Sequence, residues 1–431
     1  MSEEAGPLAG VRIIDLTSVL SGPAAMGLLA DQGADVIKIE PPSGDIMRGR
    51  GTLATGRPDA LSGSASGTGS GPVREAGGDA GTGEARGSSG GMSPGFLSCN
   101  RGKRSVVLDL KQRAAGTILW RLLGGADVLA QNFRPGVIER LGFGADRVRA
   151  RFPNLVYLSI SGVGERGPLA GRRVYDPVIQ ALSGLADIQA DPVTGRPRMV
   201  RTLIADKTTA VYAAQAVTAA LLARSRSGEG QHVRLSMLDT MVSFLWPEGM
   251  APFTRVDEDT REARATPHDM IFPTADGYIT LGAVSDREWR ALCEAFGRPE
   301  WIEDPRFATG SARSANRQER LESVEAALAG FTSAEILARL EAHDVPSGPV
   351  LPRRAVLDHP QVVTNGIVSE IDQPGLGRAR QPRPAARFEA TPSPSPRPAP
   401  TLGQHTREVL EEAGYTAAEI EDLRAEGAFG A

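Results

Sequence analysis

Short apolar runs alternate with longer, less regular ones along the first third of the chain. Val11-Arg12-Ile13-Ile14-Asp15-Leu16 reads as a strand, about Pro23 to Gln32 as a helix, and Asp35-Val36-Ile37-Lys38-Ile39 as a second strand. Pro23 suits a first helical position, where its missing N–H costs nothing. The pattern continues with a strand at Ser105–Leu110, a helix at Gln112–Leu123, a strand at Val128–Gln131, a short helix at Val137–Leu141 and a strand at Leu155–Ser159. A β-α-β opening with short apolar strands predicts an α/β fold whose parallel sheet is covered by helices. Further on, Lys207 to Arg224 is rich in Ala, Leu and Val without Gly or Pro, which predicts a helix with Asp206 as its N-cap. The positive end of that helix would keep the Asp206 carboxylate ionised, as a nucleophile forming covalent intermediates requires, although capping alone would also account for the residue.

Other stretches divide the chain. Residues 51–94 are dominated by Gly, Ser, Ala and Thr, with few large apolar side chains to offset their ordering entropy, and read as a disordered insertion dispensable for folding. Ser225–Gln231 ends the Asp206 helix and suggests a boundary, so that 1–225 and 335–431 form a large domain and 226–334 a small one. Within the small segment Asp276-Gly277 predicts a hairpin turn before Tyr278-Ile279-Thr280-Leu281, followed by a helix at Arg287–Phe296. Sheet-and-helix patterning returns after Ser347, and helices at His405–Glu412 and Ala417–Arg424 follow a Pro-rich connector at Thr391–Pro400. No internal repeat is evident.

At 431 residues the chain is long enough for two domains and for an enzyme. A net charge of −4 with interspersed signs gives no footprint for nucleic acid. Cys99 and Cys293 stand alone, which suggests neither a disulfide framework nor a structural zinc site and fits a reducing cytoplasm. The first residues lack a secretory pattern, and no apolar run approaches a membrane span. His232, His268, His343, His359 and His405 are scattered and none is paired at metal spacing, so no metal is expected.

Several strings, in order, resemble the family III CoA-transferases: Gly10–Leu16 with Gly22-Pro23, Gly33–Glu40, Asn100-Arg101-Gly102-Lys103-Arg104-Ser105, Asn132-Phe133-Arg134-Pro135-Gly136, Gly228–Gln231, Asp276-Gly277, Gly348-Pro349-Val350 and Gly403–Thr406. The resemblance covers nearly the whole chain outside the Gly/Ser tract. It implies an acyl-CoA:carboxylate CoA-transferase with Asp206 as nucleophile, acting through an aspartyl anhydride and an aspartyl-CoA thioester. Coenzyme A would be a substrate, with no permanently bound cofactor. Family positions that touch CoA match Val19, Leu108, Lys111, Asn132, Phe133, Arg140 and Arg173. The basic turn Arg101, Lys103 and Arg104 adds cations suited to phosphates. The implied fold is a Rossmann-like large domain built from both chain ends with a smaller α+β domain, in an interlocked homodimer.

Departures from the family pattern narrow the activity. Leu20 stands where formyl-CoA transferases have a glutamine, and Pro41 replaces an arginine that helps hold CoA, which argues against formyl or oxalate specificity. The related α-methylacyl-CoA racemases use a histidine with the aspartate, at a position that aligns here with Val174-Tyr175-Asp176; tyrosine is a poor proton shuttle near neutral pH. A racemase or epimerase and a non-catalytic CoA-binding homologue are therefore the alternatives. A dinucleotide dehydrogenase, suggested by Glu40 at the end of the β-α-β unit, lacks the GxGxxG loop. Ser21, Ser161 and Gly162 are candidate donors to a developing oxyanion.

Overall fold

The structure is a computed structural model that describes residues 5–49, 92–256 and 270–430. Its main sheet has six parallel strands: β1 (Arg12–Asp15), β2 (Asp35–Glu40), β3 (Arg104–Val107), β4 (Val128–Gln131), β5 (Val156–Ser161) and β6 (His232–Ser236). The spatial order is 3-2-1-4-5-6. Ile14, Ile37, Val106, Leu129 and Tyr157 pack into one apolar layer with the helix Arg113–Leu123. Ile13, Val36, Val128, Val156 and Leu158 pack into another with the helices Ser21–Ala30 and Ile204–Ser227. With both faces covered, the strands need no polar alternation, which is why they read as apolar runs. The order is that of a doubly wound Rossmann-type sheet, in which the chain reverses direction between β1 and β4 and leaves a crevice beyond their carboxyl ends.

The chain divides into two compact units. One comprises residues up to Ser183, Arg201–Pro247 and the chain from Gly366 onward; the other comprises Gly184–Val200 and Glu248–Asn365. The first contains the six-stranded sheet. Its edge strand β3 is covered by the chain's tail: the Ser105 N–H donates to His405 Nδ1 (3.1 Å), the His405 N–H to Ser105 O (2.9 Å) and the Val107 N–H to Thr406 Oγ1 (3.2 Å). The second unit has an antiparallel sheet, β7 (Ile271–Pro273), β8 (Tyr278–Leu281) and β9 (Ser347–Pro349), with β8 in the centre. Phe272, Ile279, Trp289, Phe307, Leu328, Ile336 and Leu340 form its core.

Differences from the sequence reading have local causes. His232–Ser236 pairs with β5, and Ser347–Pro349 pairs with β8, so the divisions read at 225 and 335 fall instead at Pro247 and Asn365, and Gly184–Val200, read as part of the large domain, belongs to the second unit. The tract read as disordered lies outside the described residues except for its last three positions. There Met92 and Ser93 are buried, and Pro94 opens the helix Pro94–Asn100, capped by Ser93 Oγ accepting from the Phe96 N–H (3.1 Å). His268 also lies outside the described residues.

A set of buried charges joins the carboxyl ends of β1 and β2 to neighbouring segments. Lys103 Nζ donates to Asp15 Oδ2 (2.8 Å), Pro23 O (2.8 Å) and Asn100 Oδ1 (3.0 Å), which uses all three of its protons. Lys38 Nζ donates to Asp45 Oδ2 (3.0 Å) and Thr17 O (2.9 Å). Arg48 grips Glu40 with two bonds of 2.7 Å, while Glu40 also accepts from Ser105 Oγ (2.7 Å) and the Asp45 N–H (3.0 Å). Burial alone would push the Asp15 carboxyl up, but Lys103 and Lys38 more than offset it and hold it below the usual carboxylate range. Since the side chains of Asp15 and Lys103 are both 0% exposed, removing either leaves an unpaired buried charge. Lys103→Met should lower unfolding free energy by about 3–5 kcal/mol, read by urea denaturation; a loss within ~0.5 kcal/mol would show that the pair is dispensable.

Candidate active site

Two adjoining clefts open where the sheet reverses. The first, of about 410 Å³, is mainly apolar, with Ile39, Leu108, Leu110, Phe133, Val137 and Leu141 in its walls and Lys111 among its lining residues. The second, of about 220 Å³, is lined by Ser18, Val19, Ser21, Asn132, Phe133, Arg134, Ser161, Gly162, Arg172, Arg173, Tyr175 and Asp206, among others. Ser18 and Phe133 belong to both. The larger cleft is built from the carboxyl ends of β1 to β4 and the segments that follow them, and the smaller one mainly from the segments after β1, β4 and β5, at the edge where doubly wound sheets bind ligands.

Asp206 is not the N-cap of its helix. The helix begins at Ile204, with Leu203 in the capping position and offering no side-chain bond, so Asp206 is the third helical residue. Its backbone N–H, one of the orphan donors of a helix start, is taken by Asp176 Oδ2 (3.0 Å) at the head of another helix, Asp176–Leu182. Gln180 Nε2 holds the other Asp176 oxygen (2.6 Å). Asp176 is fully buried, and Asp206 is partly buried. Burial, and after it the Asp176 charge, push the Asp206 carboxyl up from 3.8 to about 6, while hydrogen bonds from the Ser21 hydroxyl and backbone N–H pull it down. At pH 7 a carboxyl of that strength is still roughly nine-tenths ionised.

The expected CoA-facing residues divide sharply. Val19, Leu108, Lys111, Asn132, Phe133 and Arg173 line one or both clefts. Arg140 is exposed at the end of the helix Val137–Arg140, whose first residue lines the larger cleft. Arg101, Lys103 and Arg104 do not belong to this surface. Arg101 is paired with Asp31; Lys103 is buried against Asp15; Arg104 bridges Asp35, Glu408 and Glu412. Their cations neutralise carboxylates inside the fold, which the sequence pattern of a basic turn does not reveal. Glu40, the imitation of a ribose-binding acid, is likewise consumed by Arg48 and Ser105.

Residues not singled out from sequence are also brought here. Arg134 and Arg172 line the smaller cleft, and neither guanidinium has an ion-pair or hydrogen-bond partner among the described residues. Arg173 lies over the Tyr175 ring at 5.4 Å. Asp176 and Arg134 stood inside strings already noted for other reasons, but only the fold sets Asp176 against Asp206 and brings Arg134 into the same cleft lining.

A doubly wound α/β sheet with a ligand-sized cleft at its carboxyl edge, lined by cations and one half-buried carboxylate, suits an anionic substrate. The chain belongs to CoA-transferase family III, whose family model matches residues 8–406. It is 32% identical to the succinyl-CoA:glutarate CoA-transferase of Mus musculus over 98% of this chain and 90% of that protein. It is 34% identical to the succinyl-CoA:mesaconate CoA-transferase of Haloarcula marismortui over 95% and 97%, respectively. The crystal structure of Rv3272 from M. tuberculosis superposes with a TM-score of 0.77 at 32% identity, covering 94% of this chain and 99% of that one. The protein is thus an acyl-CoA:carboxylate CoA-transferase with CoA thioesters as substrates, and no helix among the described residues is long and apolar enough to cross a membrane.

The raised Asp206 carboxyl has a measurable consequence. If the ionised form reacts, kcat/KM falls as pH drops through about 6, and Asp176→Asn, which removes a like charge, moves that limb to lower pH. The linkage sign for stability is opposite to that of a salt-bridged acid. A carboxyl raised on folding opposes folding once ionised, so stability attributable to it declines as pH rises from about 4 to 6. Asp206→Asn should flatten that decline in pH-dependent denaturation midpoints.

Proposed function

We propose that Asp206 is the nucleophile of the transfer, and the observation that carries this reading is its half-buried carboxylate in a cleft whose lining also includes Ser21 and three arginines. One carboxylate oxygen attacks the donor thioester carbonyl, forming a mixed anhydride and expelling the CoA thiolate. The thiolate then attacks the aspartyl carbonyl of the anhydride, releasing the donor carboxylate and leaving an aspartyl-CoA thioester. The acceptor carboxylate attacks that thioester, forming a second anhydride and freeing the thiolate once more. Finally the thiolate attacks the acceptor carbonyl, which yields the new acyl-CoA and restores Asp206.

In this reading the apolar 410 Å³ cleft takes the adenine and pantetheine portions of CoA, with Leu108 and Phe133 in its walls and Lys111 available to a phosphate. Arg173 and the exposed Arg140 supply further phosphate partners, and Pro41 lines the cleft without the charge of the arginine it replaces. The 220 Å³ cleft takes the acyl group. The names of the mouse and Haloarcula relatives, together with the unpaired Arg134 and Arg172, favour a dicarboxylic acid with its second carboxylate held by an arginine. Tyr175, at the position of the racemases' histidine, is exposed in the cleft and favours transfer over racemisation.

The interlocked homodimer of the family fits the apolar side chains that the sheet-bearing unit leaves in water, including Val178, Leu182, Val211, Leu222, Phe244 and Trp246. The two buried free thiols fit a reducing cytoplasm.

Incubation with succinyl-CoA and hydroxylamine, followed by mass spectrometry, should give an adduct on Asp206 that depends on the thioester; modification elsewhere, or none with any acyl-CoA, would sink the assignment. Asp206→Asn should lower kcat by a factor on the order of 10⁴ or more. Light scattering should give a species of twice the 45.4 kDa chain mass that persists on dilution.

A further inference from the structure

Val19 has a backbone φ of +72°, in the left-handed region. For a β-branched residue this is a strained conformation, and it persists only where surrounding groups enforce it. Two side chains do so here. Asn132, just beyond β4, accepts the Ser18 N–H on Oδ1 (2.9 Å) and donates from Nδ2 to Ser18 O (2.8 Å). Both halves of its carboxamide are therefore spent on the backbone of a single residue. Asp45, just beyond β2, accepts the Val19 N–H on Oδ1 (3.3 Å) and the Met47 N–H on the same atom (2.9 Å), while Lys38 Nζ fixes Oδ2 (3.0 Å).

These supports are themselves anchored. Gln131 Oε1 accepts the Phe133 N–H (2.8 Å), and Gln131 Nε2 donates to the buried Ser159 Oγ (3.0 Å), which ties the segment holding Asn132 to the sheet. Asp45 is 4% exposed. The strained turn runs directly into Ser21, the first residue of the helix Ser21–Ala30, and Ser21 lines the smaller cleft together with Asp206 and favours the charged form of its carboxyl. Gly22 lets Thr17 lie against the helix start: a Cβ there would meet Thr17 Cβ at 2.4 Å, so the turn has little room to relax on that side.

We propose that Asp45 and Asn132 are positioning residues, which together hold the Ser18–Val19 backbone in its left-handed turn and thereby fix Ser21 against the carboxylate of Asp206. Family resemblance had placed Asn132 among residues touching CoA, whereas its polar atoms are engaged by Ser18. The inference rests on Asp206 being the nucleophile. Ser21 then supplies directed donors to that carboxylate and, after acylation, stays beside its carbonyl.

The test compares full-length wild type, Asp45→Asn, Asn132→Ala and Val19→Gly by kcat and KM for succinyl-CoA, the pH dependence of kcat/KM, hydroxylamine trapping at Asp206 and thermal midpoint. Asn132→Ala and Asp45→Asn should lower kcat by about tenfold or more with a smaller change in KM. They should also move the acid limb upward by about 0.5 pH unit or more, since the carboxylate loses donors that favour its charged form. Asp176, at the head of the helix Asp176–Leu182, and the residues that share the cleft lining with Asp206, namely Arg134, Arg172, Arg173 and Tyr175, are unchanged in these variants. A moved limb therefore reports on Ser21. Adding Val19→Gly to Asn132→Ala should restore the thermal midpoint without restoring kcat, because glycine relieves the strain but leaves the turn unfixed. If Asp45→Asn does not fold, Asn132→Ala alone carries the same readouts.

An acid limb that stays in place, with trapping at the wild-type rate in folded Asn132→Ala, overturns the positioning role and leaves the nucleophile intact. Absence of trapping in the wild type overturns the nucleophile reading first, and the positioning proposal with it.

Discussion

The turn that follows β1 rests on a neutral set of charges, the buried Asp15, Glu40, Asp45, Lys38 and Lys103 with the partly buried Arg48. Each would be costly to bury alone, so the chain segments that carry them can meet only in an arrangement that satisfies all six. Against a hydrophobic core of the same volume such a set adds little net stability. Its contribution is registry. The carboxyl ends of β1 and β2, the segment Asp45–Arg48 and the turn Asn100–Lys103 are fixed with respect to one another, and the turn between β1 and the first helix is built on that base. Arg48 also donates to Pro400 O (3.1 Å) and lies 3.8 Å from the Phe96 ring centroid, which extends the same constraint to the chain's tail and to the helix Pro94–Asn100.

Two opposing influences meet at Asp206 itself, and their magnitudes decide the outcome. A helix N-terminus favours a carboxylate by about 0.3–1 kcal/mol. Moving the carboxyl from 3.8 to about 6 corresponds to about 3 kcal/mol against the charged form, at ~1.4 kcal/mol per unit. Burial and the Asp176 charge therefore prevail over the helix dipole, and Ser21 moderates them. The expectation of an N-cap fails, whereas a carboxyl near 6 is still mostly ionised at pH 7, as the sequence reading required. Asp206 sits one turn deeper than a cap, and the capping role falls to a second carboxylate whose nearness raises the first.

The strands of the parallel sheet were legible because local composition and burial agree: Val128–Gln131 is the same four residues in the sequence reading and in the fold. Strand β6 was not, since His232-Val233-Arg234-Leu235-Ser236 is partly polar and follows a boundary signal, and only its pairing with β5 assigns it to the sheet. The cleft was legible where family strings marked Asn132, Phe133 and Lys111. It was not legible at Arg101, Lys103 and Arg104. A basic turn looks the same whether its cations face solvent or a buried acid, and the acids concerned, Asp15, Asp31 and Asp35, lie some seventy to ninety residues away in the chain. Arg134 and Arg172 present the converse case: their guanidinium groups have no ion-pair or hydrogen-bond partner among the described residues, and their place in the smaller cleft, a property of the fold alone, is what singles them out.

If Asp206 is the nucleophile, its raised pKa bears on how the anhydride opens. Every oxygen nucleophile and leaving group in the proposed cycle is a carboxylate, so the intermediates differ little in intrinsic energy and direction must come from small differences in basicity. Substrate carboxyls titrate near about 4–5 in water, like Asp and Glu side chains. An aspartate near 6 is the stronger base of the pair, and therefore the better attacker of the thioester. Once the mixed anhydride exists, thiolate attack at the aspartyl carbonyl expels the weaker base, the substrate carboxylate, whereas attack at the acyl carbonyl must expel Asp206. The first is the productive direction for the donor half-reaction. Ser21 then has two tasks that pull against each other: enough hydrogen bonding to keep Asp206 ionised at pH 7, and not so much that the carboxylate becomes as weak a base as the acid it must displace. A turn held by side chains from two separate strand ends sets that balance more sharply than a flexible loop could.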